Sequence, residues 1–167
     1  MLRRRAGGGL AEKLWLPLAA SERMEDEASD FAPQETGGML VGYLADGAAV
    51  VTALIGAGQG AVRGLGLFEP DGTWQQAELA RLYQASAWVE TYLGDWHSHP
   101  SGLARPSGQD KSTARRIARY KEARIKHPIT VIVASTRAEQ WLIAGFAFQG
   151  LWGFRPLEIK AYDPTLR

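Results

Sequence analysis

The sequence contains no cysteine. That absence excludes disulfides, iron–sulfur clusters, cysteine-ligated zinc ribbons and every thiol nucleophile at once. Long apolar runs are missing too. No segment offers the 18 consecutive apolar residues of a membrane span, and the N-terminal MLRRRAGGGL carries basic residues without the apolar stretch of a signal peptide. Nor does one sign of charge dominate. With 19 basic against 18 acidic side chains, nothing global draws the chain to nucleic acid, a membrane surface or an acidic substrate, and any such partner needs a local patch. No internal repeat or low-complexity tract appears, and nothing in the sequence points to a particular oligomeric state. The expectation is a soluble, cytoplasmic protein with a flexible lead at residues 1–9 and one domain at 10–167. With 46% hydrophobic residues, a chain of 167 is long enough to bury a core without staples.

What is there reads as alternating strands and helices. Lys13 to Pro17 alternates enough for a short strand, and Leu18 to Phe31 is an acidic amphipathic helix stopped before Pro33. After Glu35-Thr36-Gly37-Gly38, the turn signal Asp46-Gly47 predicts an antiparallel hairpin of Gly38 to Leu44 with Ala48 to Ile55. Gly56 to Ala61 matches a dinucleotide-binding Gly-x-Gly-x-x-Ala, but no helix follows to hold a pyrophosphate, so it reads as a glycine-rich loop. Val62 to Phe68 predicts one short strand, and Thr73 to Tyr92 a long helix. A second long helix is expected from Ser107 to about Lys126, its seven basic side chains forming a solvated face. The strands Ile129 to Ala134, Gln140 to Phe148 and Phe154 to Tyr162 complete the order. His127 reads as a polar step into the first of these.

Histidine is scarce, and two of the three fall in one stretch, GDWHSHPSGLARPSGQD from Gly94 to Asp110. His97 and His99 are two apart, which in extended backbone puts both imidazoles on one face. Pro-Ser-x-x-Asp has the form of a helix start, with Ser107 as cap, and the loop before it returns Asp110 toward the histidines. Two neutral nitrogens and one carboxylate suit zinc, and three protein ligands leave a tetrahedral position open for water, the mark of a catalytic site. The cap and ligand roles are compatible.

Glu35 with TGG and a following apolar strand, His97-Ser98-His99-Pro100, Ser107 and Asp110 together resemble the full motif of the JAB/MPN+ (JAMM) zinc metalloproteases, in order as well as spacing. The likeness runs from about Leu10 to Tyr162. It implies an α/β fold of the α+β type: a curved, mainly antiparallel β-sheet sandwiched by two long helices and a shorter N-terminal helix. It also implies one zinc ion on His97, His99 and Asp110, with Glu35 as general base and Ser107 as donor to the tetrahedral intermediate. The implied reaction is hydrolysis after the C-terminal glycine of ubiquitin or a ubiquitin-like protein. That tail would add as a strand along the loop Gly56 to Gly72, at Val62, Gly64, Leu65, Gly66, Leu67 and Phe68.

The sequence departs from eukaryotic relatives in a tight turn at Thr136 to Glu139, where there is no room for a long second insertion. Recognition of a single tail with little linkage selectivity is therefore expected. Stand-alone bacterial members resembling this chain are linked to sulfur-carrier processing and to antiphage ubiquitin-like conjugation. HPSG followed by PSxxD also resembles RadC-type JAB proteins, associated with DNA. The protease-like ETGGMLVGY and the net charge of +1 make nucleic acid the less expected partner.

Overall fold

In the computed structural model, Leu14 and Leu16 turn inward from the first strand and lose all exposure, while Lys13 and Trp15 turn outward, the period of two that defines a half-buried strand. Residues 9–136 and 140–166 are described. Most of the expected N-terminal lead and most of the Thr136–Glu139 turn lie outside the described residues. In chain order the elements are β1 (Lys13–Pro17), α1 (Leu18–Phe31), β2 (Gly37–Ala45), β3 (Ala48–Ile55), β4 (Val62–Gly64), β5 (Leu67–Glu69), α2 (Gly72–Ala85), β6 (Thr91–His99), α3 (Gly108–Arg119), β7 (Ile129–Ser135), β8 (Trp141–Phe148) and β9 (Phe154–Tyr162).

Seven strands close into a barrel in the order β1-β3-β2-β6-β7-β8-β9, where a curved sheet sandwiched by helices was expected. Closure is the work of β1. It pairs in parallel with β3 on one side and with β9 on the other, joining residues more than a hundred positions apart. The β6–β7 pairing is also parallel and the other four are antiparallel, so the sheet is mainly antiparallel as expected. The core joins Met24, Ala20 and Ala28 of α1 to Leu40, Val51, Leu93, Trp96, Val131 and Val133 of the barrel. On β7 the alternate set Thr130, Ile132 and Ala134 is buried as well, and α3 packs against this strand and β8. Two covered faces explain why β7 is an almost continuous apolar run. Among the described residues no helix is long and apolar enough to cross a membrane.

Three boundaries differ from the sequence expectation. The helix expected over Thr73–Tyr92 stops at Ala85. Ala87 and Trp88 are left-handed (φ 53° and 68°), Trp88 packs edge-on against Tyr83 at 5.0 Å, and the Ser86 hydroxyl accepts from the Glu90 amide, so the chain reverses with no glycine or proline to announce it. The helix expected over Ser107–Lys126 gives way after Arg119 to a 3₁₀ turn at Lys121–Ala123 and a left-handed Arg124, which returns Ile125 to the interior. The two helices expected to be long have 14 and 12 residues, and the N-terminal helix expected to be shorter also has 14. The third difference is at Val62–Phe68, which is not one strand. It is the hairpin β4–β5, turned at Leu65-Gly66 with Gly66 at φ 68°. The Gly56–Ala61 segment is a loop wrapped round the start of α2, where the Asp71 carboxylate accepts from the Gly60 and Trp74 amides at 3.2 and 3.1 Å. The helix N-terminus that an anion would need is already filled by a side chain.

The register of β6 depends on one residue. Gly94 has φ 149° at the irregularity where β6 passes β2, and an added methyl group would overlap the backbone of Ile129 on β7. Gly94→Ala is expected to cost on the order of 4 kcal/mol, from a disfavoured backbone angle and a clash with backbone that cannot rotate away. Urea denaturation measures it. A midpoint indistinguishable from the parent chain's would show that the two strands can part without penalty.

Candidate metal centre

From Gly94 onward β6 alternates cleanly. Trp96 and Ser98 turn to one side and are buried, while Asp95, His97 and His99 turn to the other and are half-buried. His97 and His99 thus emerge together at the strand's C-terminal end, with ring nitrogens Nε2 to Nε2 at 3.0 Å. His99 Nδ1 lies 2.8 Å from the Leu103 carbonyl, to which it can only donate, and this turns its Nε2 toward the site as the ligand atom. Ser107 caps α3: its hydroxyl accepts from the Asp110 amide at 3.2 Å, and the Asp110 carboxylate accepts from the Ser107 amide at 2.6 Å. This reciprocal capping box aims the carboxylate. Its oxygens stand 3.1 Å from His97 Nε2 and 3.8 Å from His99 Nε2.

The donor atoms of His97, His99 and Asp110 all lie within 4.8 Å of one another. Ligand atoms about 2.0–2.1 Å from a tetrahedral zinc ion stand roughly 3.3 Å apart, so the cluster has the chemistry and the spacing that such an ion requires. Burial works against ionisation of Asp110, but the hydrogen bond and charge of His97, with the bonds from Ser107, outweigh it and hold the carboxyl well below the usual carboxylate range. It stays anionic through any pH at which the protein would work. A second acid lies just below. The Asp95 carboxyl is enclosed although the residue as a whole is only half-buried, and burial pushes it up to about 6 against the opposing pull of Tyr92 and His97.

The cluster opens on a groove of about 1240 Å³ that passes between α2 and α3 and is lined by Glu35, Phe68, Gln75, His97, Ser107 and Asp110 among others. Glu35 is half-buried, and its carboxylate bonds to no other described residue. Its placement comes from backbone: the Glu35 amide donates to the Gly64 carbonyl at 3.1 Å, and the next residue, Thr36, exchanges two bonds with Ser98. Of the residues expected to meet a substrate tail, Gly66 and Phe68 line this groove, while Val62, Leu65 and Leu67 are exposed beside it. His127 lies apart from the cluster, with Nδ1 at 2.9 Å from the Phe148 carbonyl. The basic side chains from Lys111 to Lys126 make no ion pair among the described residues.

Sequence reasoning missed Ser98, Thr36 and the Leu103 carbonyl, which hold the site in register. A signal existed only for Ser98, because a residue between two outward histidines on a strand must face inward, and a buried hydroxyl there needs a partner.

The model of a family described as prokaryotic homologues of the JAB domain matches residues 17–144. A probable metalloprotease of Sinorhizobium fredii is 39% identical over 131 residues, which is 77% of this chain and 79% of that protein. Two proteins named CD-NTase/cGAS isopeptidase, from Escherichia coli and Vibrio cholerae, are 34% and 30% identical, and the chain spans about half the length of each (49% and 53%). The solution structure of a protein from Desulfitobacterium hafniense matches with a TM-score of 0.66 over 90% of this chain and 93% of that one, at 20% identity, and so shares the fold.

Proposed function

The chain belongs to the family of prokaryotic homologues of the JAB domain, and from that premise we propose that it is a zinc metallopeptidase cleaving after the C-terminal glycine of a ubiquitin-like protein. The observation that carries the reading is the convergence of His97, His99 and Asp110 on a groove that Glu35 and Ser107 also line. The relatives named isopeptidase favour removal of a conjugated ubiquitin-like protein, as in bacterial antiphage conjugation, over trimming of a sulfur-carrier or other precursor. The working compartment is the cytoplasm.

His97, His99 and Asp110 would hold the ion, which when bound would supply Lewis acidity to water and to the scissile carbonyl. The rest falls to the chain's own groups. Glu35, whose carboxylate has no partner among the described residues, takes a proton from the attacking water at Oε and delivers it to the nitrogen of the departing amine. Ser107 uses an oxygen lone pair on the Asp110 amide, so its hydroxyl hydrogen remains to be donated to the carbonyl oxygen as negative charge develops there. Asp110 is fixed by the capping box and His99 by the Leu103 carbonyl, so both hold their orientation before any ligand arrives. The β4–β5 hairpin offers extended backbone beside the groove for an extended, glycine-ended tail.

The direct test is incubation of the zinc-loaded protein with ubiquitin-like proteins carrying C-terminal extensions, read by intact mass. A single cut after the terminal glycine is expected. Binding without cleavage would make the protein an adaptor, and a salt-dependent shift of DNA without cleavage would favour the RadC-like reading. The role of the hairpin is tested separately. Phe68→Pro, which takes a main-chain donor from β5 and leaves Arg63 and Gly64 in place, should raise KM for a folded ubiquitin-like substrate by roughly tenfold or more, and far more than for a short peptide ester. Equal effects on both substrates would place the tail elsewhere.

A further inference from the structure

Arg63, in the middle of β4, reaches back across the molecule to the segment that carries Glu35. Its Nε donates to Thr36 Oγ1 at 3.0 Å, and its guanidinium carbon sits 3.8 Å from the centre of the Phe31 ring at the end of α1. Thr36 is fully buried, and its hydroxyl donates onward to Glu27 Oε1 on α1 at 3.0 Å. The neighbouring Gly64 carbonyl accepts from the Glu35 amide. Two adjacent residues of the hairpin therefore grip two adjacent residues of the Glu35 segment, one through backbone and one through side chains. On its other side Thr36 is tied to β6 by the Ser98 hydroxyl at 3.0 Å and the Ser98 amide at 2.8 Å. Thr36 is thus the joint between α1, the hairpin and the strand of the two histidines. Glu35 has no side-chain partner of its own among the described residues, so where its carboxylate stands is decided by this joint.

We infer that Arg63 is a positioning residue for Glu35: it latches the β4–β5 hairpin to α1 and Thr36, and thereby sets the distance between the Glu35 carboxylate and the His97–His99–Asp110 cluster. The inference rests on the proposed hydrolysis for its kinetic part only. Arginine is suited to the task because one planar group donates to the threonine while stacking on the phenylalanine. Lysine can do one or the other. A substrate that shifts the hairpin shifts Glu35 with it.

The test is Arg63→Ala, made both in the parent chain and in Glu35→Gln. Hydrogen–deuterium exchange is followed over residues 31–38, and turnover is measured on a short glycine-ended peptide too small to depend on the hairpin. Exchange at the Glu35 amide should quicken by roughly tenfold, with or without metal, as the latch opens. In the parent chain kcat should fall roughly 10- to 100-fold with metal content unchanged, the scale of an ångström-level misplacement of a reacting group. In the Glu35→Gln background the same change should do nothing further, because a residue that acts through Glu35 has no one left to act through. Arg63→Lys should recover part of the loss. Equal kcat losses in both backgrounds, or unaltered exchange at Glu35, overturn the latch. If the parent chain cleaves nothing, the proposed hydrolysis fails instead, and the exchange measurement alone decides the latch.

Discussion

Glu35→Gln should lower turnover on a ubiquitin-like substrate by roughly 10⁴-fold while leaving metal content and substrate binding nearly intact. The substitution keeps the side chain's size, and Glu35 lies outside the cluster of three donor atoms, so nothing in the metal centre is removed. What disappears is the proton acceptor. A general acid–base group typically contributes 10²- to 10⁴-fold, and in the proposed reaction one residue serves both transfers, the uptake and the release to the departing amine, which puts the effect at the upper end. Because the Glu35 carboxylate has no partner among the described residues, the amide leaves no buried charge uncompensated and the fold should not notice it. The kinetic signature is a fall in kcat with KM and substrate Kd almost unchanged. Loss of metal in this variant would make Glu35 a ligand, and near-normal turnover would place the base elsewhere.

His97→Ala and Asp110→Ala should each abolish turnover, with a loss at least as large, and for a different reason. Either change takes one of three protein donors from the site, and two are too few to hold zinc against dilution. Elemental analysis should find close to one zinc ion per parent chain and almost none in the variants. Stability should respond unequally. His97 and Asp110 hold each other in place at 3.1 Å, so Asp110→Ala leaves the His97 ring with His99 alone beside it and removes the carboxylate half of the capping box at the start of α3, at a cost of roughly 0.3–1 kcal/mol. His97→Ala removes the group that holds the Asp110 carboxyl down, and that carboxyl should then titrate closer to its ordinary value. Full zinc occupancy in both variants would refute the site.

The parts of this molecule that could be read from sequence are those fixed by neighbours along the chain. Lys13–Pro17, Leu18–Phe31 and Ala48–Ile55 appear with the expected bounds because alternation, helical spacing and the Asp46-Gly47 turn are all local signals. The His-x-His spacing was legible for the same reason, since two residues on one strand share a face whatever the rest of the chain does. Where helices end was less legible. Ser86 to Trp88 carry no breaker, and the chain turns there because Trp88 finds Tyr83 and because Tyr92 and Leu93 gain more by burial in β6 than in a longer helix. Closure of the barrel was hidden altogether. A pairing between β1 and β9 is parallel and remote, and no turn residue marks it. The same holds for Arg63 and Thr36, whose partnership crosses 27 positions and depends on a hairpin that read as one strand.

Closing the barrel has a consequence for how an extended peptide can be received. A strand joins a sheet only where backbone donors and acceptors lie unpaired at a rim, and the seven barrel strands, each flanked on both sides, offer no such rim along their paired lengths. Chance edge-to-edge aggregation is blunted by the same fact. The rim that remains among the described strands belongs to β4–β5, and it is not symmetric: β4 faces inward, its Gly64 carbonyl already spent on the Glu35 amide, so the free outer rim is that of β5, Leu67–Glu69. That strand borders the groove through Phe68 and Glu69. The fold thus leaves three residues, one strand away from Glu35, as the place where a visiting main chain can pair.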